Sequence, residues 1–184
     1  MRTAPNRILA PATTTSAPIN LNQGAAIIVD DGRIVRTVLG SCVAVILHVP
    51  RLRVSGICHA QMPERQGSDD KCSGSCPEPC YAEVENSNDL KYVTCCIRYM
   101  LDQLLQRRVL RSEIAATLIG GASVLSFINP SLSVGERNVA VAKARLEEEG
   151  IRIGRADTGG KVGRTIQHNP ATNETTVRRH DPHR

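Results

Sequence analysis

Aromatic residues are nearly absent from this chain, which has no Trp, one Phe and three Tyr in 184 residues. A core of ordinary size must then be built from Val, Ile, Leu and Ala, held by close packing rather than ring stacking. The same scarcity argues against single-stranded nucleic-acid binding, which relies on aromatic platforms for the bases. Long apolar runs are missing too. A membrane helix needs about 18 such residues, whereas CVAVIL and its neighbours are broken by His48, Pro50 and Arg51. The N-terminal stretch MRTAPNRILAPATTTSAPIN has neither the apolar core nor the cleavage pattern of a secretory signal. With seven cysteines, an odd number, and no such signal, a reducing cytoplasm is expected rather than a disulfide framework. The net charge of +5 permits an acidic partner without identifying one, because much of the excess sits in the terminal segments.

The chemistry concentrates between Thr37 and Met62, in TVLGSCVAVILHVPRLRVSGICHAQM. Cys42 stands at the mouth of the β-branched run CVAVIL, and His59 ends a second run, VSGIC. Two strands joined around Pro50 as a hairpin bring those distant positions together. A thiol is mostly protonated at neutral pH and needs a neighbouring imidazole to take its proton before it attacks. Thr37 supplies a hydroxyl to hold one ring nitrogen of that imidazole while the other faces the sulfur. Gly40 allows substrate to approach the amides of Ser41 and Cys42, where a developing oxyanion would be stabilised. The ordinary reading of a lone Cys opening an apolar strand is core packing. Cys58 fits that reading, because alternation points it away from the face of His59.

Taken in order, the chain predicts an arm over 1–23 without stable structure, rich in Pro, Ala and Thr. One domain follows over 24–180, then a basic tail over 181–184. AAIIVD, RIVRTV, CVAVILHV and RVSGICHA read as four consecutive strands, with Asp31 and Gly32 turning the first into the second, in its simplest form an antiparallel meander. Residues 63–88 form a long polar loop carrying Cys72, Cys76 and Cys80. A metal or redox centre there, with Cys95 or Cys96 as a fourth ligand, is one reading. The spacing matches no common zinc pattern, however, so no metal and no cofactor is assigned. Asn88 is the predicted N-cap of a helix to about Arg108, its core face formed by Leu90, Val93, Ile97, Met100, Leu101, Leu104 and Leu105. IAATLIGGAS predicts a strand ending at Gly120 and Gly121. Ser133 and Glu136 form a capping box for a helix from Val134 to about Glu149 that stops at Gly150, with Val139, Val141, Ala142 and Leu146 as its buried stripe. IRIGRAD, RTIQHN and TTVRRH predict three further strands, and His168, His180 and His183 read as surface residues. The sum is a single α+β domain of mainly antiparallel strands and two long helices.

The residues LGSCVAV and GICHAQMP, with His59 seventeen residues after Cys42, resemble the CheD family of chemoreceptor glutamine deamidases. GGAS, GERNV and DTGG match later blocks in the same order, so the resemblance spans roughly 25–180. Met62 stands where the family usually has Leu, and the family's connection over 63–88 is shorter and lacks the cysteine cluster. The resemblance implies a layered α/β/β sandwich and a protein-glutamine glutaminase. Cys42 would be the nucleophile, His59 the base and Thr37 its orienting partner, with Ser41, Gly120 and Gly121 lining the substrate. It implies the cytoplasmic domains of methyl-accepting chemoreceptors as partners, with neither nucleic acid nor membrane insertion. Arg137 and Asn138 are polar positions the family also carries. The other implied role is a non-catalytic regulator that binds the phosphatase CheC or the receptors.

Overall fold

The computed structural model describes residues 17–64, 90–123 and 133–180. Within them run β1 (Ile19–Asn20), β2 (Ala26–Val29), β3 (Val35–Leu39), β4 (Val43–Val49), β5 (Val54–Cys58) and α1 (Val93–Leu105). After these come β6 (Ala115–Gly120), α2 (Val134–Glu148), β7 (Ile153–Thr158), β8 (Arg164–Asn169) and β9 (Glu174–Arg179). Two sheets form, one ordered β2-β5-β4-β6-β7 and the other β1-β3-β8-β9. Among these strands, β6–β7 and β1–β3 pair in parallel and the rest antiparallel. The result is the α+β sandwich expected from the sequence, mainly antiparallel and with two helices.

The layer order follows from which residues each face buries. β4 is buried at every position from Val43 to Val49 because it lies in the centre of its sheet and is covered on both sides. Its odd-numbered residues Val43, Val45 and Leu47 pack with Ile97, Met100, Leu101 and Leu104 of α1 and with Ala142 and Leu146 of α2. Its even-numbered Ala44 and Ile46 meet Val35, Leu39 and Ile166 of the second sheet. Helices, sheet and sheet therefore stack as three layers, and alternation along β4 sends Cys42 toward the space between the sheets. A strand covered on both faces has no polar side to show. Its sequence is accordingly apolar except at His48, whose ring meets the buried Ser55 hydroxyl.

The four-strand meander is not what forms. β2, β4 and β5 share one sheet, while β3 belongs to the other. Asp31 and Gly32 turn the chain across the sandwich rather than into a hairpin, with the Asp31 carboxylate accepting from the Arg33 backbone amide at 3.1 Å. The reason lies in the pattern of β3. Its alternation of buried Val35, Thr37 and Leu39 with exposed Arg36 and Val38 suits a sheet covered on one face only. The end of the predicted arm is also structured. Ile19 and Asn20 pair with Val35 and Arg36, and Leu21 is buried between the sheets. The first helix starts at Val93, later than expected, and Asn88 lies outside the described residues. Tyr92 offers no side-chain cap. The Val93 amide instead donates to the Met62 carbonyl at 2.9 Å. The second helix opens on Ser133 as expected, its hydroxyl accepting from the Glu136 amide while the Glu136 carboxylate accepts from the Ser133 amide.

Candidate active site

The site is assembled from three strands across the two sheets. Ile46 pairs with Ile57 and Val43 with Ala60, so the β4–β5 register runs unbroken past the end of β5. In that register Gln61 lies opposite Cys42, and Ala44 lies opposite His59. Cys42 and His59 are thus diagonal neighbours on one face, within reach of a long side chain. Thr37 enters that space from β3 of the facing sheet, and its Oγ1 lies 2.7 Å from His59 Nδ1.

That contact sets the chemistry of the ring. The Thr37 hydroxyl donates its single proton to the Leu21 carbonyl at 2.8 Å. Its oxygen must then accept from His59, which places the proton of the neutral imidazole on Nδ1. Nε2 is left as the unprotonated nitrogen. It is buried and has no partner among the described residues. Burial holds the His59 pKa below the usual histidine value, partly offset by the nearby Leu21 carbonyl. Burial pushes the Cys42 thiol up, opposed by its own backbone amide. Both groups therefore favour their neutral forms. Cys42 is 9% exposed and His59 only 2%. The two residues before Cys42, Gly40 and Ser41, are half-buried.

Gly120, which ends β6, and Gly121 after it support this loop from the side. Gly120 pairs with Val43, and a Cβ added to it would collide with the Cys42 carbonyl. The Gly121 amide donates to that same carbonyl at 2.8 Å. A side chain on Gly121 would strike Val139 of α2, and its φ of +67° suits glycine. The structure thus places Ser41, Gly120 and Gly121 against the backbone that carries Cys42. Cys58 faces the helices, buried beside Cys96 and Val93.

His168 is not a surface residue. It is fully buried between the sheets, its ring nitrogens 3.0 Å from Thr175 Oγ1 and 2.8 Å from Ser55 Oγ. Ser55 also meets His48 Nδ1 at 2.8 Å. The cause is alternation along β8, which puts His168 on the inward face with Ile166. His180 is exposed and meets the Thr165 hydroxyl, and His183 lies outside the described residues. Cys72, Cys76 and Cys80 lie outside them as well. Among the described residues, no group of three or more His, Cys, Asp or Glu side chains is placed to hold a metal ion. Cys95 and Cys96 are buried in α1, where the Cys96 thiol donates to the Leu90 carbonyl at 2.6 Å.

Sequence reasoning assigned no role to Asn138. It is fully buried on α2, and its Nδ2 donates to the Ser41 carbonyl at 3.0 Å and the Gln61 carbonyl at 2.9 Å. A signal was available, because Asn138 falls on the same helical stripe as Gly135, Ala142 and Leu146.

A family model described as CheD chemotactic sensory transduction matches residues 77–179. A probable chemoreceptor glutamine deamidase CheD from Maridesulfovibrio salexigens is 33% identical over 159 residues, 82% of this chain and 84% of that protein. The chain belongs to the CheD family. Another CheD protein, from Natronomonas pharaonis and named in the same way, is 30% identical over 168 residues, 91% of each chain. A third, from Methanococcus vannielii, is 29% identical over 145 residues, covering 79% of this chain and 84% of its own.

Proposed function

We propose that this CheD protein deamidates glutamine side chains of chemoreceptors to glutamate, with Cys42 as nucleophile and His59 as its base. The observation that carries the reading is the Thr37–His59 hydrogen bond, which leaves Nε2 unprotonated on the face shared with Cys42. The relatives' names supply the substrate class.

The reaction begins from a neutral pair. As Sγ attacks the carboxamide carbon, the thiol proton passes to Nε2, and the imidazolium that forms keeps its Nδ1–H on Thr37. The Ser41 and Cys42 amides donate to no backbone carbonyl among the described residues, and they serve the tetrahedral oxyanion. The carbon–nitrogen bond then breaks, and nitrogen leaves as ammonia with the proton returned from Nε2. A thioester remains on Cys42. Water, deprotonated by Nε2, attacks the thioester carbonyl and releases glutamate, and the sulfur recovers its proton. Each turnover exchanges a neutral side chain for an anion on the receptor surface.

The test is ammonia release from receptor cytoplasmic fragments, with the amide-to-acid exchange mapped by mass spectrometry. Cys42→Ala and His59→Ala should each abolish it while leaving the fold intact. Activity surviving in folded Cys42→Ala would remove the nucleophile assignment. A wild-type protein that binds receptors or a phosphatase partner but releases no ammonia would leave the regulator role in its place.

A further inference from the structure

We infer that Asn138 is a positioning residue that holds Cys42 and His59 in register by spanning the fork where their two strands separate. The inference rests on the catalytic pair proposed above. In an antiparallel ladder the pairs that exchange both backbone hydrogen bonds recur at every second residue. Val43 and Ala60 form such a pair, at 2.9 and 2.8 Å. The next should be Ser41 with Met62. Met62 has turned away, however, donating its amide to the Lys91 carbonyl at 3.0 Å and accepting from the Val93 amide. The Ser41 carbonyl has thereby lost its cross-strand donor.

Asn138 supplies the replacement. One amide group reaches the carbonyls on both tines of the fork, Ser41 beside the nucleophile and Gln61 two residues beyond the base. Only the NH2 end can face two carbonyl oxygens, so the amide orientation is determined. Its Oδ1 is then left buried with no partner among the described residues. A helix-docking residue chosen for packing alone would be apolar, as Ala142 and Leu146 on the same stripe are. Cys42 is thus held between Val43, tied to Ala60, and Ser41, tied to Asn138, with Gly121 on its own carbonyl.

The test uses the full chain and needs no receptor. Alkylation of Cys42 by iodoacetamide is followed across pH on the Cys42-containing peptide. The proteins compared are wild type, Asn138→Ala, Asn138→Ser, His59→Ala and the His59→Ala/Asn138→Ala double variant. Thermal melting reports the fold of each. Asn138→Ala should slow neutral-pH alkylation by roughly ten-fold, toward the His59→Ala rate. Asn138→Ser, which keeps one donor, should fall between, and the double variant should lose nothing beyond His59→Ala. A folded Asn138→Ala within about two-fold of wild type would overturn the inference. So would an equal loss in the His59→Ala background, because Asn138 would then act on the fold and not on the pair. If Asn138→Ala does not fold, Asn138→Ser decides, and a wild-type rate there overturns the inference. Rates as predicted in a protein that deamidates no receptor would sink the proposed function and leave this inference standing. Equal alkylation of wild type and His59→Ala would sink the pair, and this inference with it.

Discussion

Replacing Thr37 by Val tests how the imidazole is held, because Val fills nearly the same volume and removes only the hydroxyl. Two buried groups lose their partner at once. These are the His59 Nδ1–H, 2.7 Å from Oγ1, and the Leu21 carbonyl, 2.8 Å from it. A buried polar group left without a partner costs about 1–3 kcal/mol. Since the two share a single oxygen and a small site can relax, a joint loss of about 2–4 kcal/mol in folding stability is expected. The catalytic effect has a different origin. Without the Thr37 acceptor, nothing on the ring's far side selects the tautomer with a bare Nε2, and the fraction of productively oriented His59 falls. An orientation term of about 1.4–2.7 kcal/mol corresponds to a kcat lower by about 10–100-fold, with KM little changed. Thr37→Ser keeps the hydroxyl and should stay within about three-fold of wild type. Ammonia-release kinetics on a receptor fragment and urea denaturation measure the two effects separately. A Thr37→Val protein with wild-type kcat would refute the tautomer argument, as would one whose loss lay wholly in KM.

The remaining predictions concern pH and backbone fit. Burial, with His48 beside it, lowers the His168 pKa to about 4. The unfolded chain titrates near 6.5 and so binds the proton first as pH falls. Stability present above about pH 6.5 should be lost toward pH 4, by roughly 3 kcal/mol for this residue. His48 and His59, also lowered by burial, act in the same direction. Urea midpoints at neutral and acidic pH check this, and His168→Asn should flatten the slope; an unchanged slope would show that His168 does not titrate on unfolding. Gly120→Ala should lower the melting temperature sharply and disable the site, because the added Cβ meets the Cys42 carbonyl, a backbone atom that cannot turn aside. A melting curve like the wild type's would contradict that. Ser133→Ala should cost about 1 kcal/mol through loss of the α2 cap, read in the same denaturation assay.

Much of this was legible in the sequence, and the gaps have physical causes. β4 could be read as a strand because burial on both faces leaves a continuous apolar run from Val43 to Leu47. α2 could be read from its capping box, a local device whose two halves lie three residues apart. Sheet membership could not be read. An Asp-Gly turn looks alike whether it closes a hairpin or carries the chain to a facing sheet, and only tertiary pairing of β3 with β8 decides. His168 was missed for a related reason, since its buried partners Ser55 and Thr175 lie on other strands. Cys42, His59 and Thr37 were legible as residue types suited to one reaction. The contacts around them, the Leu21 carbonyl on the Thr37 hydroxyl and the Asn138 amide on the Ser41 and Gln61 carbonyls, join residues distant in the chain.

The most direct test of the central claim is an acid quench during turnover, followed by mass spectrometry of the Cys42 peptide. The account predicts a thioester to the receptor glutamyl group on Cys42 of the wild-type protein, absent from Cys42→Ala and His59→Ala, with ammonia formed as the adduct forms. Ammonia release that continues in folded Cys42→Ala, with no adduct on the wild-type thiol, would contradict it.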